Sequence, residues 1–231
     1  MVGALRIENM FRKTITNFPK PNRPHLPAIL FLLLLIFTTP ALAQNDNLFG
    51  SNETRYDTFN LFPKWVGMLS RNKKDLTAAN NLPCETPMQT SCLFIQWHAF
   101  LNTLKGKSRM EQLDAVNRYM NKHKYITDLV NWNVADYWET PREFMVKDGD
   151  CEDFAIAKFK SLLYLGIPND EMRIVVLQDL NLKVAHAVLA VYVKDKPYIL
   201  DNQAEQVILA KNIKHYMPIY SINETNWWRH G

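Results

Sequence analysis

Near Gly166 and Pro168 the hydrophobic periodicity of this chain changes, and that change limits the folds open to it. Upstream, apolar residues recur at helical spacing. Leu61, Trp65, Met68 and Leu69 predict a helix over about 60–71, and Phe94, Ile95, His98 and Leu101 another over 92–104. Met110, Leu113, Val116 and Met120 mark a third over 108–122, opened by the capping-box pair Ser108 and Glu111. A fourth runs from Asp150 to Leu165 with Ala155, Phe159, Leu162 and Leu163 inward, and Gly166 and Pro168 stop it. Downstream the period is two, and segments 172–178, 184–193, 197–201, 205–209 and 216–222 read as strands rich in Val, Ile and Tyr. Helices first and strands afterwards predict an α+β fold on an antiparallel sheet, not alternating βαβ units. The polar stretch 44–59 reads as a loose lead-in, and the aromatic, Pro-punctuated stretch 125–144 as a structured loop.

The first 43 residues stand outside that fold. Arg6, Arg12, Lys13, Lys20 and Arg23 precede the apolar run Ala28–Phe37, and Ala41-Leu42-Ala43 has the small-x-small form of a cleavage site. This is the pattern of a secretory signal peptide cut before Gln44. The run of ten is too short to cross a bilayer, which takes about 20 apolar residues. Of 27 basic and 23 acidic residues the leader carries five and one, which leaves 22 of each in a neutral 44–231 domain. No basic stripe remains to neutralise phosphates, so nucleic-acid binding is excluded. Export into an oxidising compartment also suits the cysteines. Cys84 and Cys92 lie eight apart and are expected to form a bridge, leaving Cys151 as the free thiol.

Cys151 lies in Gly149-Asp150-Cys151-Glu152-Asp153-Phe154-Ala155, at the start of the fourth helix. A thiolate is the nucleophilic form of cysteine, and a neighbouring base must generate it at neutral pH. His186, in the otherwise apolar run Val184–Val191, is the candidate base. Asp201 ends the next strand and, after a turn centred near Asp195, falls opposite roughly Val188 or Leu189, about one pleat step from His186. Each residue has a simpler explanation: a buried thiol, a core histidine, a turn-forming aspartate. Their coincidence in the order Cys151, His186, Asp201 favours a catalytic triad. Asp150 and Asp153 are also good helix-start residues.

These segments, with Asp136-Tyr137-Trp138-Glu139-Thr140-Pro141 and Ile199-Leu200-Asp201-Asn202, resemble the bacterial transglutaminase-like cysteine proteinases, in particular the LapG-type periplasmic proteases of Gram-negative bacteria. The resemblance implies a papain-like, transglutaminase-like core with the catalytic Cys at a helix start, and a Cys151–His186–Asp201 triad. It implies calcium dependence through Asp150 and Glu152; by calcium's ligand count, Asp153, Asp148 and backbone carbonyls are the candidates for the remaining ligands. It also implies release of a large surface adhesin by endoproteolysis, hence biofilm dispersal, and control by the periplasmic domain of an inner-membrane cyclic-di-GMP receptor. An amidase or transamidase acting on cell-wall peptides, or a non-catalytic calcium-binding module, are the rival functions.

The acidic flanks make a cation physically sensible. Carboxylates beside a thiol oppose its ionisation, and Ca²⁺ would cancel that effect while fixing the turn that presents the sulfur. Calcium takes six to eight oxygens, so further ligands are needed. An EF-hand is excluded: counted from Asp148, position six is Asp153 where Gly is required, and position twelve is Phe159. The backbone N–H of Cys151 is the expected oxyanion donor, and Trp138, Gln96 and His98 are candidates for a second. The aromatic residues of 132–144 are read first as packing and second as a groove lining.

Overall fold

The computed structural model describes residues 47–79 and 90–231. The expected leader and Cys84 lie outside them. The chain runs β1 (Glu53–Tyr56), α1 (Pro63–Ala79), α2 (Thr90–Thr103), α3 (Arg109–Met120), α4 (Asp128–Trp132), α5 (Pro141–Lys147) and α6 (Cys151–Tyr164). It continues through β2 (Met172–Asp179), β3 (Val184–Val193), β4 (Lys196–Leu200), β5 (Ile208–Leu209), β6 (Tyr216–Ile222) and β7 (Trp227–His230). The strands form one antiparallel sheet in the order β1-β7-β6-β2-β3-β4-β5, so the fold is α+β as the change of period predicts.

Strand β3, beside the central strand β2, is apolar over Ala187–Val191 because both of its faces are covered there. Leu189 and Val191 join Phe159, Leu162, Phe144 and Trp65 in the large core under the helices. Their neighbours Val188 and Ala190 pack on the opposite face with Val175, Leu177, Ile199 and Tyr216. Helix α6 is the piece that joins helices to sheet, and it lies against β3 and β2. Phe159, with no exposed surface, contributes about 2–3 kcal/mol of that contact. The helix ends where Gly166 takes φ +88°, and Ile167 N–H returns to Leu162 O at 3.0 Å.

Several boundaries differ from the sequence expectations. Helix α1 starts later and runs longer, since Pro63 suits the first helical turn and Leu61 is left exposed. The stretch around Glu53–Tyr56 is not a loose lead-in: it is an edge strand paired with β7 in register Glu53↔His230 to Tyr56↔Trp227. The aromatic stretch 125–144 holds two short helices. The second starts at Pro141 with Thr140 and Glu143 as a capping box. Only Ile208–Leu209 of the 205–209 strand is formed.

Candidate active site

The two candidates on the sheet meet directly. Leu200 pairs with Leu189 in the β3–β4 ladder, so Asp201 just past β4 reaches the level of Val188, on the face that carries His186. His186 Nε2 lies 2.9 Å from Asp201 Oδ1. Gln203 N–H donates to the same oxygen at 2.9 Å, and Tyr216 Oη donates to Asp201 Oδ2 at 2.6 Å. Asn121, the C-cap of α3, donates through Nδ2 to Asp201 O at 2.8 Å and so holds the backbone of the turn. His186 and Asp201 are both about 3 % exposed. Burial alone would raise the Asp201 pKa, but its bonds from His186, Tyr216 and Gln203 outweigh it and hold the carboxyl below its ordinary value. With Nε2 committed to Asp201, Nδ1 is the nitrogen left as a base.

Cys151 opens α6, and its thiol lies beside the backbone of Ala187, the residue after His186. Among the described residues no hydrogen bond joins Cys151 to His186. The thiol instead bonds Glu152 Oε2 at 3.3 Å. The turn before Cys151 is tightly built. Asp153 Oδ2 accepts from Asp150 N–H at 3.1 Å and Asp153 Oδ1 from Glu139 N–H at 2.7 Å. A Cβ on Gly149 would sit 2.5 Å from Asp153 Oδ2, so only glycine fits there. Asp148 adopts φ 59°, ψ −173°, a region normally reserved for glycine. Its Oδ1 bonds His123 Nδ1 at 2.8 Å, and Asn131 Nδ2 donates to its carbonyl at 3.1 Å.

Around the thiol the carboxylates gather in three overlapping groups. Asp150 and Glu152 flank Cys151; Asp128 joins Asp150 and Asp153; Asp128 and Asp136 join Glu152. Within each group one ligand atom per residue lies within 4.8 Å of the others. Asp128 and Asp136 come from α4 and the loop after it, more than a dozen residues upstream, and sequence reasoning did not reach them as candidates. Asp148, paired with His123, stands apart from these groups. Asp128 Oδ1 and Asp150 Oδ1 are buried without a hydrogen-bond partner among the described residues.

Burial first, and like charge after it, raise the carboxyl pKa values of Asp128, Glu139, Asp150, Glu152 and Asp153. Burial, then the bond and charge of Asp150, push Glu152 up to about 9. Burial pushes Asp128 up to about 6 and Glu139 up to about 8. Asp150 and Asp153 rise for the same first cause. The Cys151 thiol is pushed far above its ordinary value by burial and then by Glu152 and Asp150. Oxygens without partners, inside a group of acids that hinder each other's ionisation, fit a hard cation that takes oxygen ligands.

The proposed second oxyanion donors are not all near the thiol. His98 packs on Tyr164 at the far end of α6, with ring centroids 4.7 Å apart, and Gln96 is exposed. A helix of 14 residues puts that end about 20 Å from Cys151. Trp138 is buried edge-on against Trp65. Tyr137 Oη donates to Glu143 Oε1 at 3.0 Å, and Trp132 Nε1 donates to Glu139, so these rings are tied into the turn. Tyr125 was not singled out by sequence. Its backbone bridges to Gly149, its ring is half exposed, and the charges of Cys151, Asp150 and Glu152 act on its hydroxyl. Cys92 is disulfide-bonded, and Cys151 is a free cysteine.

A thiol at a helix start over an antiparallel sheet, beside a strand whose histidine is oriented by a carboxylate, defines the papain-like and transglutaminase-like class of folds. Residues 85–230 match the family described as bacterial transglutaminase-like cysteine proteinase BTLCP. Among solved structures, Legionella pneumophila LapG is 34% identical with a TM-score of 0.58, over 68% of this chain and 87% of that one. The calcium-bound form of Legionella pneumophila LapG matches equally, and its EGTA-treated form matches over 84% of its length. No curated protein gives a match. This chain belongs to the bacterial transglutaminase-like cysteine proteinases.

Proposed function

We propose that this protein is a calcium-dependent periplasmic cysteine endopeptidase that releases a large cell-surface adhesin, with Cys151, His186 and Asp201 as its triad. The observation that carries the reading is the acidic cluster built around the thiol, which opposes Cys151 ionisation and has two buried carboxylate oxygens without partners. The calcium-bound and EGTA-treated forms of the similar Legionella protein support calcium as the cation. Asp128, Asp136, Asp150, Glu152 and Asp153 would hold it, and its charge would offset the carboxylates that keep the thiol protonated.

In the proposed mechanism His186 Nδ1 takes the thiol proton as Cys151 Sγ attacks the scissile carbonyl. Asp201 keeps the imidazole in the tautomer that leaves Nδ1 free and stabilises the imidazolium that forms. The N–H of Cys151, at the start of α6, faces the developing oxyanion. His186 then returns the proton to the leaving amine, and water, deprotonated by the same ring, releases the acyl-enzyme. The adhesin substrate, the periplasmic location and control by a cyclic-di-GMP receptor rest on the family resemblance. Among the described residues no helix is long and apolar enough to cross a membrane.

The test is digestion of surface-protein fractions by purified protein, with Ca²⁺ and with EGTA, followed by N-terminal mapping of the fragments. Discrete cuts in one large adhesin that vanish reversibly in EGTA are expected. Cleavage of muropeptides with no protein cut would move the activity to cell-wall amide bonds.

A further inference from the structure

Two stretches distant in sequence meet beside the nucleophile, and acids of the cluster lie on both. One is 123–128, between α3 and α4; the other is 148–150, which leads into Cys151. Asp128 on the first and Asp150 on the second each carry a buried oxygen without a hydrogen-bond partner among the described residues. Their ligand atoms fall in one group, within 4.8 Å of one another. Carboxylates that close repel when charged, so the approach of the two stretches has to be held by links along them.

A backbone link and a side-chain link are present. Ile126 N–H donates to Gly149 O at 2.9 Å, within the bridge that pairs Tyr125 with Gly149. His123 Nδ1 lies 2.8 Å from Asp148 Oδ1, with the ring N–H as donor and the carboxylate as acceptor. His123 is itself anchored. Its N–H donates to Met120 O at 3.0 Å, at the end of α3, and its ring packs on the fully buried Phe144 with centroids 4.7 Å apart. The pair therefore ties the turn before the nucleophile to α3 and to the core.

The residue that His123 grips is the strained one. Asp148 has φ 59° and ψ −173°, and a residue other than glycine stays in that region only where its surroundings over-determine it. Glycine would remove the strain, and what it would give up is the bond to His123. Asp148 is not in the acidic groups that could hold the ion, so metal ligation does not explain it.

We infer that His123 is a positioning residue for the cation site. Through Asp148 it holds 148–150 against 123–128, so that Asp150 and Asp128 are already together when Ca²⁺ arrives. The inference rests on the calcium reading. A site held in its binding geometry beforehand gives up less on binding than one the ion must assemble against carboxylate repulsion.

The experiment titrates Ca²⁺ alone into wild type, His123→Phe and His123→Asn by calorimetry, and follows amide exchange at Ile126 in EGTA. Phe keeps a ring against Phe144 but has no donor. Asn puts Nδ2 where the imidazole Nδ1 was and gives up the ring. His123→Phe should bind Ca²⁺ about tenfold more weakly, with Ile126 exchanging faster in EGTA, while His123→Asn should stay within about threefold of wild type in both. A Phe variant that binds Ca²⁺ as tightly as wild type, or leaves Ile126 exchange unchanged, would overturn the inference. So would an Asn variant that loses as much as the Phe variant, since ring packing would then be the cause. Failure of both variants to fold would also overturn it, leaving His123 a structural residue only. Wild type that takes up no Ca²⁺ would sink the calcium reading and this inference with it; wild type that binds while the variants match it sinks the inference alone.

Discussion

On the strand side of the site, every oxygen of the Asp201 carboxylate has a donor, the pKa is lowered, and the His186 ring is oriented by the fold itself. On the helix side, where the thiol lies beside the backbone of Ala187, the pKa values of Asp150 and Glu152 are raised, two carboxylate oxygens lack partners among the described residues, and the thiol bonds a carboxylate instead of the imidazole. Both regions are acidic and buried, yet only one is satisfied by protein atoms. Under the proposed triad, the difference means that the fold supplies a finished base and an unfinished nucleophile. What the helix side lacks is positive charge, and that is what the proposed calcium ion would supply.

The largest effect expected is at the nucleophile. Cys151→Ala should lower proteolysis by at least about a thousandfold while leaving the melting temperature close to wild type, because a small helix-compatible residue replaces the thiol. His186→Ala should come near it. Steady-state cleavage of one adhesin fragment measures both, and an active Cys151→Ala protein would place the nucleophile elsewhere.

The next effect separates the two sides by pH. Glu152 moves from its ordinary 4.5 to about 9 in the folded protein, so the folded state holds that proton more tightly than the unfolded chain. In chelator, its contribution to stability is therefore fully present below about pH 4.5 and is lost as pH rises through about 9. Asp201 runs the other way: its pKa is lowered, so its contribution is present above its ordinary 3.8 and lost as pH falls through the lower folded value. Removing the Glu152 charge should accordingly stabilise the calcium-free protein. Glu152→Gln should raise the melting temperature in EGTA at pH 8 by about 2–4 °C, the equivalent of about 1 kcal/mol, while abolishing the thermal gain on adding Ca²⁺. Thermal scans from pH 5 to 9 measure it, and a variant that melts lower in EGTA would mean the helix side is not strained by charge.

A smaller effect is expected on the satisfied side. Tyr216→Phe removes one of the donors to Asp201 and leaves the ring packed, costing about 1 kcal/mol, or about fivefold in kcat/KM. The loss should be independent of Ca²⁺. A loss that Ca²⁺ repairs would mean that the two sides are not separate.

The contrast between the sides also explains what could be read from the sequence. The satisfied side is local: His186 and Asp201 are joined by one β-turn, so counting residues from Asp195 was enough to place them together. Helices α3 and α6 were legible because Ser108–Glu111 and the Asp150 turn are caps written in neighbouring residues. Helix α5 carried the same kind of signal in Thr140, Pro141 and Glu143, masked by the aromatic residues around it. The acidic cluster was only half legible. Asp150 and Glu152 adjoin the thiol, but Asp128 and Asp136 arrive through tertiary folding of α4 and the loop after it, and no spacing rule links them to Cys151. Strand β1 was missed for a similar reason: its partner β7 lies at the other end of the chain.

The central claim is that the carboxylates around Cys151 hold its thiol protonated and that Ca²⁺ releases it. The most direct measurement is the alkylation rate of Cys151 by iodoacetamide across pH 6–10, read on its own peptide by mass spectrometry, in EGTA and in Ca²⁺. In EGTA, alkylation should remain slow up to the alkaline end of the range. In Ca²⁺, the thiol should titrate near or below neutrality and react at pH 7 more than about tenfold faster than in EGTA. Equal rates under the two conditions at every pH would contradict the claim.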